Sequence, residues 1–253
     1  MGYKLTWAYI GTDKVRPSWP ELITTAGIYH SSDLWLISLS SDWSTRTTIA
    51  DKNLWATTVY NYWDTKAASN YWWFFQWGNN YMFPFTWSVT TSSTQVNTTG
   101  YWPGNYYSSA TYIKTNPRDS SGNHDLWGWT TGTVEARKWP CDTWFHIPDS
   151  TELWNLKTLL TGLSVSDIYV WFQEYLMMPV GITRNYNGAV NTESYPTNYW
   201  ACTDRNNSTG RVLSLQSSVS TDYTSKYYGY PIRPFYNTSV QPDNTWTTIY
   251  QPS

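Results

Sequence analysis

The pattern of apolar and polar positions along the chain predicts mostly short β-strands. In the first 60 residues, turn residues such as Gly11, Pro17 and Pro20 separate segments that alternate apolar with polar side chains or are rich in β-branched residues. These segments are KLTWAYI, GIYH, LWLISL and TTIA. The block YWWFFQWG at 71–78 is apolar almost throughout, as a strand buried on both faces would be.

The C-terminal third of the chain predicts further strands in LMMPVGIT, NYWACT, RVLSLQ and PIRPFY. Side chains alternate between the two sides of a strand, so RVLSLQ divides into two sets: Leu213 and Leu215 on one side, and Val212, Ser214 and Gln216 on the other. We therefore expect one core face and one displayed face. The tail at 243–250 is expected to form an edge strand near the N-terminal strand.

Helical periodicity is confined to two segments. Residues 149–163 predict a helix because Asp149 and Glu152 have capping-box spacing and leucines follow at i, i+3, i+4 and i+7. Gly162 supplies a stop signal. A second, shorter helix is expected from Ser166 to about Leu176, ended by Pro179. Short strands with two helices predict an α+β fold.

Residues 79–135 lack either periodicity and read as a long irregular insert. The insert contains Pro84, Pro103-Gly104 and a Ser/Thr run from Thr90 to Thr94. Its many Tyr and Trp residues favour a loop packed on the domain rather than a free one.

Composition narrows the classes of partner. The chain has 253 residues, of which 13% are charged, and its net charge is −2. Nucleic acid and acidic lipid need clustered Lys and Arg, so neither is expected as a partner. No apolar run is long enough to span a bilayer, and MGYKLTWAYIG lacks the features of a secretory signal. We expect a soluble chain without membrane insertion, although a domain cut from a longer, anchored protein would begin in the same way.

Tryptophan is unusually frequent, with 19 residues in the chain. Several occupy turn-like contexts where glycine would be expected, including Trp43 in SSDWST and Trp102 in GYWPGN. One hypothesis is that some of these tryptophans stand where the natural protein has glycine, because its source reads UGA as Gly. The alternative is a protein that uses surface Trp for binding.

Few residues suggest catalysis. The three histidines, His30, His124 and His146, are scattered without metal-ligand spacing, and His146 is interpreted as structural. No nucleophile elbow, P-loop or dinucleotide fingerprint is present. Cys141 and Cys202 allow one disulfide, but two buried thiols are the simpler interpretation.

A series of motifs resembles the bacterial "major paralogous domain" family first noted in Fibrobacter. The motifs are DKNLWATTVYNYWD, FFQWGNN, CDTWFHIPDSTELWNLKTLL, LMMPVGITRNYNG, NYWACT, RVLSL and GYPIRPF, and they run from about residue 49 to 236. That family is similar to the formylglycine-generating-enzyme type of C-type lectin fold. The resemblance implies a single domain over 1–253, with an N-terminal β extension at 1–48, helices and insert at 49–180, and a presented region at 181–236.

The chain departs from the family pattern at three points. Trp55 and Trp144 stand where the family has Gly, which also motivates the recoding hypothesis. Ala201-Cys202 replaces a Ser-Ser pair, so Cys202 is interpreted as a small core residue.

The same layout is similar to the variable proteins of diversity-generating retroelements, in which adenine-directed mutagenesis changes chosen surface positions. The resemblance implies a fixed scaffold of Gly181, Arg184, Gly188, Tyr199, Trp200, Leu213, Leu215, Gly229, Ile232 and Arg233. The presented, ligand-binding positions would then be Tyr195, Asn198, Asp204, Arg205, Asn206, Asn207, Arg211, Ser214, Gln216, Tyr223, Lys226, Tyr227, Tyr228 and Tyr230. A merely polar rim on an ordinary domain is the alternative.

The function expected from these features is non-catalytic binding of a protein or glycan on another cell or particle, with display on a cell or virus surface. The resemblance also implies two alternatives: an oxidase that holds copper between closely spaced cysteines, and a structural surface protein without a ligand. Cys141 and Cys202 are far apart in sequence, which disfavours the oxidase. No cofactor is expected; the calcium-ligand candidates Glu193, Asp204, Asn206, Asn207 and Asp222 lack a recognisable spacing.

Overall fold

The structure is a computed structural model. It describes residues 4–10, 34–40, 47–50, 52–54, 56, 60, 73–85, 88–94, 107–115, 126–128, 133–134, 136–137, 140–141, 145–159, 172–173, 176–192, 197–215, 219–237 and 247–250. The first strands are β1 (Lys4–Ile10), β2 (Leu34–Ser40), β3 (Thr47–Ala50), β4 (Trp73–Gln76), β5 (Phe83–Pro84), β6 (Thr91–Ser92), β7 (Tyr112–Ile113) and β8 (Phe145–His146). After helix α1 (Ser150–Leu159) follow β9 (Thr183–Arg184), β10 (Val190–Asn191), β11 (Thr197–Asp204), β12 (Thr209–Leu215), β13 (Val219–Ser225), β14 (Gly229–Tyr230), β15 (Phe235–Tyr236) and β16 (Thr247–Tyr250).

The strands form several small sheets rather than one large one. A six-stranded sheet has the order β16-β1-β2-β3-β15-β8, a five-stranded sheet β10-β9-β14-β4-β5, and a three-stranded sheet β11-β12-β13. Strands β6 and β7 pair in parallel. Strand β16 pairs with β1, which confirms the expected edge strand beside the N-terminal one.

The predicted α+β class with two helices is wrong. Within the residues that the structure describes, strand predominates, with 41% strand against 9% helix. Helix α1 confirms the first predicted helix, and its capping box is present: Asp149 Oδ1 accepts a hydrogen bond from the Glu152 amide, and Glu152 Oε2 accepts one from the Asp149 amide. Of the second predicted helix, the structure describes Phe172 and Gln173 as helical and leaves most of 166–175 outside its described residues.

The excess of strand has a physical cause in the composition. β-branched and aromatic side chains fit a pleated, half-buried surface, and the chain is rich in Thr, Tyr and Trp. LMMPVGIT and PIRPFY are partial exceptions, because only Thr183 of the first and Phe235–Tyr236 of the second belong to strands. Pro179 lacks the amide hydrogen that a strand ladder needs.

The core is built from tryptophans whose indole N–H groups are paired across sheets. Trp77 and Trp200 are fully buried. Trp77 donates to the Ala201 carbonyl at 3.2 Å, and Trp200 donates to the Phe75 carbonyl at 2.8 Å. Trp77 directly follows β4 and Trp200 lies in β11, so these bonds fix the three-stranded sheet against β4.

The parts of the insert at 79–135 that the structure describes pack on the domain, as predicted. Tyr107, Tyr112 and Trp127 are buried. Trp127 contacts Trp77, with ring centroids 5.9 Å apart. None of the helices in the part of the chain that the structure describes is long and apolar enough to cross a membrane.

Candidate functional site

The site is built on the three antiparallel strands β11, β12 and β13, called here the hairpin sheet. Register places Val212 opposite both Trp200 and Asp222, and Arg211 opposite Tyr223. Helix α1 packs against all three strands. Two further hydrogen bonds join the start of the helix to β11: the Cys202 amide donates to the Pro148 carbonyl at 2.9 Å, and the Ser150 amide donates to Thr203 Oγ1 at 2.7 Å.

The predicted scaffold residues are buried, as expected. The set is Gly181, Arg184, Gly188, Tyr199, Trp200, Leu213, Leu215, Gly229, Ile232 and Arg233. Arg233 follows β14 and donates hydrogen bonds to the Ala50 and Met177 carbonyls. Its guanidinium group therefore joins this part of the chain to β3. Arg184 donates to the carbonyls of Gly188 and Pro84.

The predicted division of β12 into a core face and a displayed face is wrong. Val212 and Ser214 are buried along with Leu213 and Leu215. The reason is that the hairpin sheet has cover on both sides: helix α1 packs on it, and Val212 belongs to the same core cluster as Trp77 and Trp200. Gly210 lies so close to Trp77 that a Cβ there would be 2.7 Å from the indole ring.

Lys226 was predicted to be presented but is fully buried. Its Nζ lies 2.8 Å from Asp204 Oδ1 and 3.9 Å from the centroid of the Trp77 ring. Burial lowers the pKa of Lys226, and the hydrogen bond and charge of Asp204 act in the opposite direction. Asp204, another predicted surface residue, has a side chain that is only 6% exposed. Both residues are part of the scaffold.

Tyr230 and Asn198 were also predicted to be exposed and are buried. The Tyr230 ring packs edge-on against Trp200, with centroids 4.9 Å apart. Its hydroxyl lies 3.2 Å from Thr224 Oγ1 and beside the Asn198 side chain. Because Tyr230 and Asn198 are buried, they support the residues above them rather than contact a ligand.

The turn between β11 and β12 is the most exposed part of the described site. Residues 205–208 are all exposed. Asn206 is exposed, but its side chain stabilises the turn, because its Oδ1 accepts hydrogen bonds from the amides of Ser208 and Thr209. Asn207 is left to solvent at the end of this fixed turn.

Beside this turn, two arginines meet one tyrosine; we call this group the arginine tip (Arg205, Arg211 and Tyr223). Cζ of Arg205 lies 3.2 Å from the centroid of the Tyr223 ring, and Cζ of Arg211 lies 6.0 Å from it. Tyr223 is 46% exposed. All three were predicted as presented residues, and all three remain accessible.

A second group, the tyrosine patch, consists of Tyr186, Tyr227 and Tyr228. The rings of Tyr186 and Tyr227 meet edge-on at 6.1 Å, and those of Tyr227 and Tyr228 lie 4.8 Å apart. Tyr228 then stacks on buried Tyr230 at 5.8 Å. A continuous chain of rings therefore runs from solvent to the Trp200 core.

The backbone under the tyrosine patch is held by buried polar groups. The carbonyl oxygen of Tyr227 accepts hydrogen bonds from the Tyr112 hydroxyl at 2.7 Å and from Gln76 Nε2 at 3.2 Å. The amide of Tyr228 donates to the Ser225 carbonyl at 3.1 Å. The insert and β4 thus fix the turn that presents the tyrosines.

Tyr186, the most exposed member of the patch at 54%, was not among the predicted positions. It lies in the turn Asn185-Tyr-Asn-Gly188 between β9 and β10, where Gly188 has a φ of +84°. An Asn-Gly pair between two strands is a strong hairpin signal, and a large ring at such a turn has no core to enter. The Asn-Gly pair was therefore sufficient to predict that Tyr186 is exposed.

The two cysteines and His146 are buried. Cys141 and Cys202 are both buried and make no disulfide. Burial raises the pKa of the Cys202 thiol. His146 is also buried: its Nε2 donates to Glu152 Oε1 at 2.8 Å, and its Nδ1 lies 2.6 Å from Asn237 Oδ1. These contacts agree with the structural role predicted for His146.

Three of the five calcium-ligand candidates, Asp204, Asn206 and Asp222, are engaged in other contacts. Asp204 pairs with Lys226, Asn206 closes its turn, and Asp222 Oδ1 accepts from the Tyr223 amide. Within the described part of the chain, no group of three or more His, Cys, Asp or Glu residues could hold a metal ion.

Several predicted positions lie outside the described residues. They are the presented residues Tyr195 and Gln216, the calcium candidate Glu193, the histidines His30 and His124, and the tryptophans Trp43, Trp55, Trp102 and Trp144. Comparison of the chain with protein-family models, with curated proteins and with solved structures finds no match.

Proposed function

We propose that this protein binds a macromolecular ligand without catalysing a reaction, through the tyrosine patch and the arginine tip. The observation that carries the proposal is a row of accessible tyrosines on a backbone fixed by buried hydrogen bonds. Tyrosine gives a large contact area for the loss of few rotamers, and tyrosine and arginine are enriched in binding hot spots.

Rigidity of the presenting turn favours binding over a merely polar rim. Ordering flexible side chains and loops on association costs free energy, whereas a surface that is already ordered avoids that cost. Here the Tyr227 carbonyl has two buried donors, and the Tyr228 ring rests on Tyr230. A polar rim without a ligand would have no need of such support.

The proposal includes display on a cell or virus surface and diversification of the exposed positions, as in the variable proteins of diversity-generating retroelements. The accessible residues at 205, 207, 211, 223, 227 and 228 are Arg, Asn and Tyr. Replacement there would change the ligand surface with little effect on the core. The partner would be a protein or a glycan on another cell or particle.

A ligand screen with matched variants tests the proposal. Immobilised protein is exposed to a displayed protein library and to a glycan array, and each hit is measured against Tyr186→Ser/Tyr227→Ser/Tyr228→Ser. We expect that variant to weaken binding by at least about tenfold, because hot-spot tyrosines carry much of the binding free energy.

The control is Trp154→Ser on helix α1, which removes an aromatic side chain that is 52% exposed and distant in sequence from the patch. It should change affinity by less than about twofold. Hits that bind all three proteins equally, or the absence of any hit, would count against the binding function and favour a structural surface protein.

A further inference from the structure

The arginine tip carries two positive charges close to one ring. Arg211 lies directly opposite Tyr223 in the register of β12 and β13, while Arg205 reaches the same ring from the turn. Since Cζ lies 3.2 Å from the ring centroid for Arg205 and 6.0 Å for Arg211, the two guanidinium groups are within roughly 9 Å of each other. Like charges at this separation repel, and an anion placed between them would remove the repulsion.

Acidic side chains of the hairpin sheet do not balance these charges. Asp204 is occupied by Lys226, and Asp222 occupies the strand position next to Tyr223, which directs its side chain to the opposite face of the sheet. Within the described part of the chain, neither Arg205 nor Arg211 has an ion-pair partner. Each retains donors in the planar arrangement that suits a carboxylate.

The shape of the tip favours a protein partner over a small sugar. Residues 205–208 are exposed in succession and form the projecting end of a hairpin. Sites for small molecules are concave and enclose most of the ligand, whereas a projecting Arg-Tyr surface fits the face of another protein.

We infer that the arginine tip is a docking site for an acidic segment of a protein partner. One carboxylate of the segment is held between Arg205 and Arg211, and the exposed part of the Tyr223 ring contacts the adjoining chain. This inference rests on the proposed binding function and gives the chemical class of its ligand. Complementary charge at such a rim increases the association rate and makes the affinity sensitive to salt.

The test titrates the full chain with a capped hexaglutamate peptide and follows the arginine Nε–Hε signals by nuclear magnetic resonance. We expect the signals of Arg205 and Arg211 to shift, and a hexaglutamine peptide to leave them unchanged. Arg205→Gln/Arg211→Gln should weaken peptide binding by at least about tenfold. Lys114→Gln, which removes the charge of another exposed side chain, should change it by less than about twofold.

Three results of this titration would overturn the inference: no shift with hexaglutamate, equal binding by the double variant and wild type, or tighter binding of trigalacturonic acid than of the peptide. The last result would assign the site to an acidic glycan. Circular dichroism melting of each variant shows that the fold is retained. A ligand that depends on the tyrosine patch alone would overturn this inference and leave the proposed binding function intact.

Discussion

The buried ammonium group of Lys226 joins the end of the hairpin sheet to its first strand. Lys226 follows β13, whereas its partner Asp204 ends β11. The Trp77 ring covers the same ammonium group, at 3.9 Å from Nζ to the centroid. A buried ion pair gives little net stability compared with apolar replacements, but removal of one partner leaves the other charged and unsolvated.

Lys226→Met is therefore expected to lower the free energy of unfolding by about 3 kcal/mol, because it leaves the Asp204 carboxylate buried beside an apolar side chain. Urea denaturation measures the change. Lys226→Met/Asp204→Leu should recover most of the loss, and Lys114→Met at an exposed site is the control. A cost below about 1 kcal/mol for the single change would contradict the buried ion pair.

Glu152 links stability to acid pH. Although burial opposes ionisation, the hydrogen bond and charge of His146 and the charge of Arg137 lower the pKa of Glu152 from 4.5 to about 2. Because the folded-state pKa is depressed, the contribution of Glu152 to stability is present above pH 4.5 and is lost as the pH falls toward about 2. Asp149 adds a further contact to this cluster, 3.5 Å from Arg137.

We expect the wild type to lose stability between pH 4.5 and about 2 more steeply than Glu152→Gln, which cannot titrate. Chemical denaturation at a series of pH values measures the two slopes. Asp222→Asn removes an exposed carboxylate outside this cluster, so this control variant should still lose the contribution of Glu152 as the pH falls. Equal slopes for the wild type and Glu152→Gln would show that the cluster does not hold Glu152 ionised.

At the scale of elements, the turn at 226–228 takes its shape from distant parts of the chain. The Tyr112 hydroxyl comes from β7 and Gln76 from β4, and both donate to the Tyr227 carbonyl. Gln76 also accepts from the Ile113 amide at 2.8 Å, which joins the insert to the same network. The insert therefore acts as a support for the presented tyrosines.

Tyr112→Phe keeps the ring packing against Phe83 and removes only the hydroxyl donor. We expect a loss of about 1 kcal/mol in the free energy of unfolding, typical of one hydrogen bond, and faster amide exchange at 226–228. Hydrogen exchange followed by mass spectrometry measures the second effect. Tyr81→Phe, at a more exposed ring, is the control. Equal exchange at 226–228 in the two variants would contradict the claim that the Tyr112 hydroxyl holds this turn.

Capping residues and the periodicity of apolar side chains predicted the helices and strands that are long enough to show such a pattern. The capping box of α1, the long strands β1, β2, β11 and β12, and the pairing of the tail with β1 follow from such signals. Strands β5 to β10 are two residues long, and two residues cannot display a period. Tertiary contacts such as the hydrogen bonds of Gln76 determine these short strands, and the local sequence pattern does not predict such contacts.

At the scale of the whole molecule, burial separates the predicted site into two groups. Arg205, Asn207, Arg211, Tyr223, Tyr227 and Tyr228 are accessible, but Asn198, Ser214, Lys226 and Tyr230 are buried. Residue type and strand parity could not predict this division, because helix α1 and the Trp77 cluster cover both faces of the hairpin sheet. The cover depends on packing between elements far apart in sequence.

Thiol accessibility tests the non-catalytic character of the whole molecule. Both cysteines are buried without a disulfide, so we expect the native protein to react with neither Ellman's reagent nor copper(I), and the unfolded protein to expose both thiols. Native reactivity of Cys202, or cysteine-oxidising activity with copper, would support the oxidase alternative.

The most direct test of the account is the pattern of substitutions among sister copies of the gene from one source. The account predicts that differences concentrate at the accessible positions 205, 207, 211, 223, 227 and 228, with Asn198, Ser214, Lys226 and Tyr230 constant. A nearby repeat of the coding region that is mismatched at adenines would accompany them. Differences spread evenly over buried and accessible positions would contradict a surface diversified for binding.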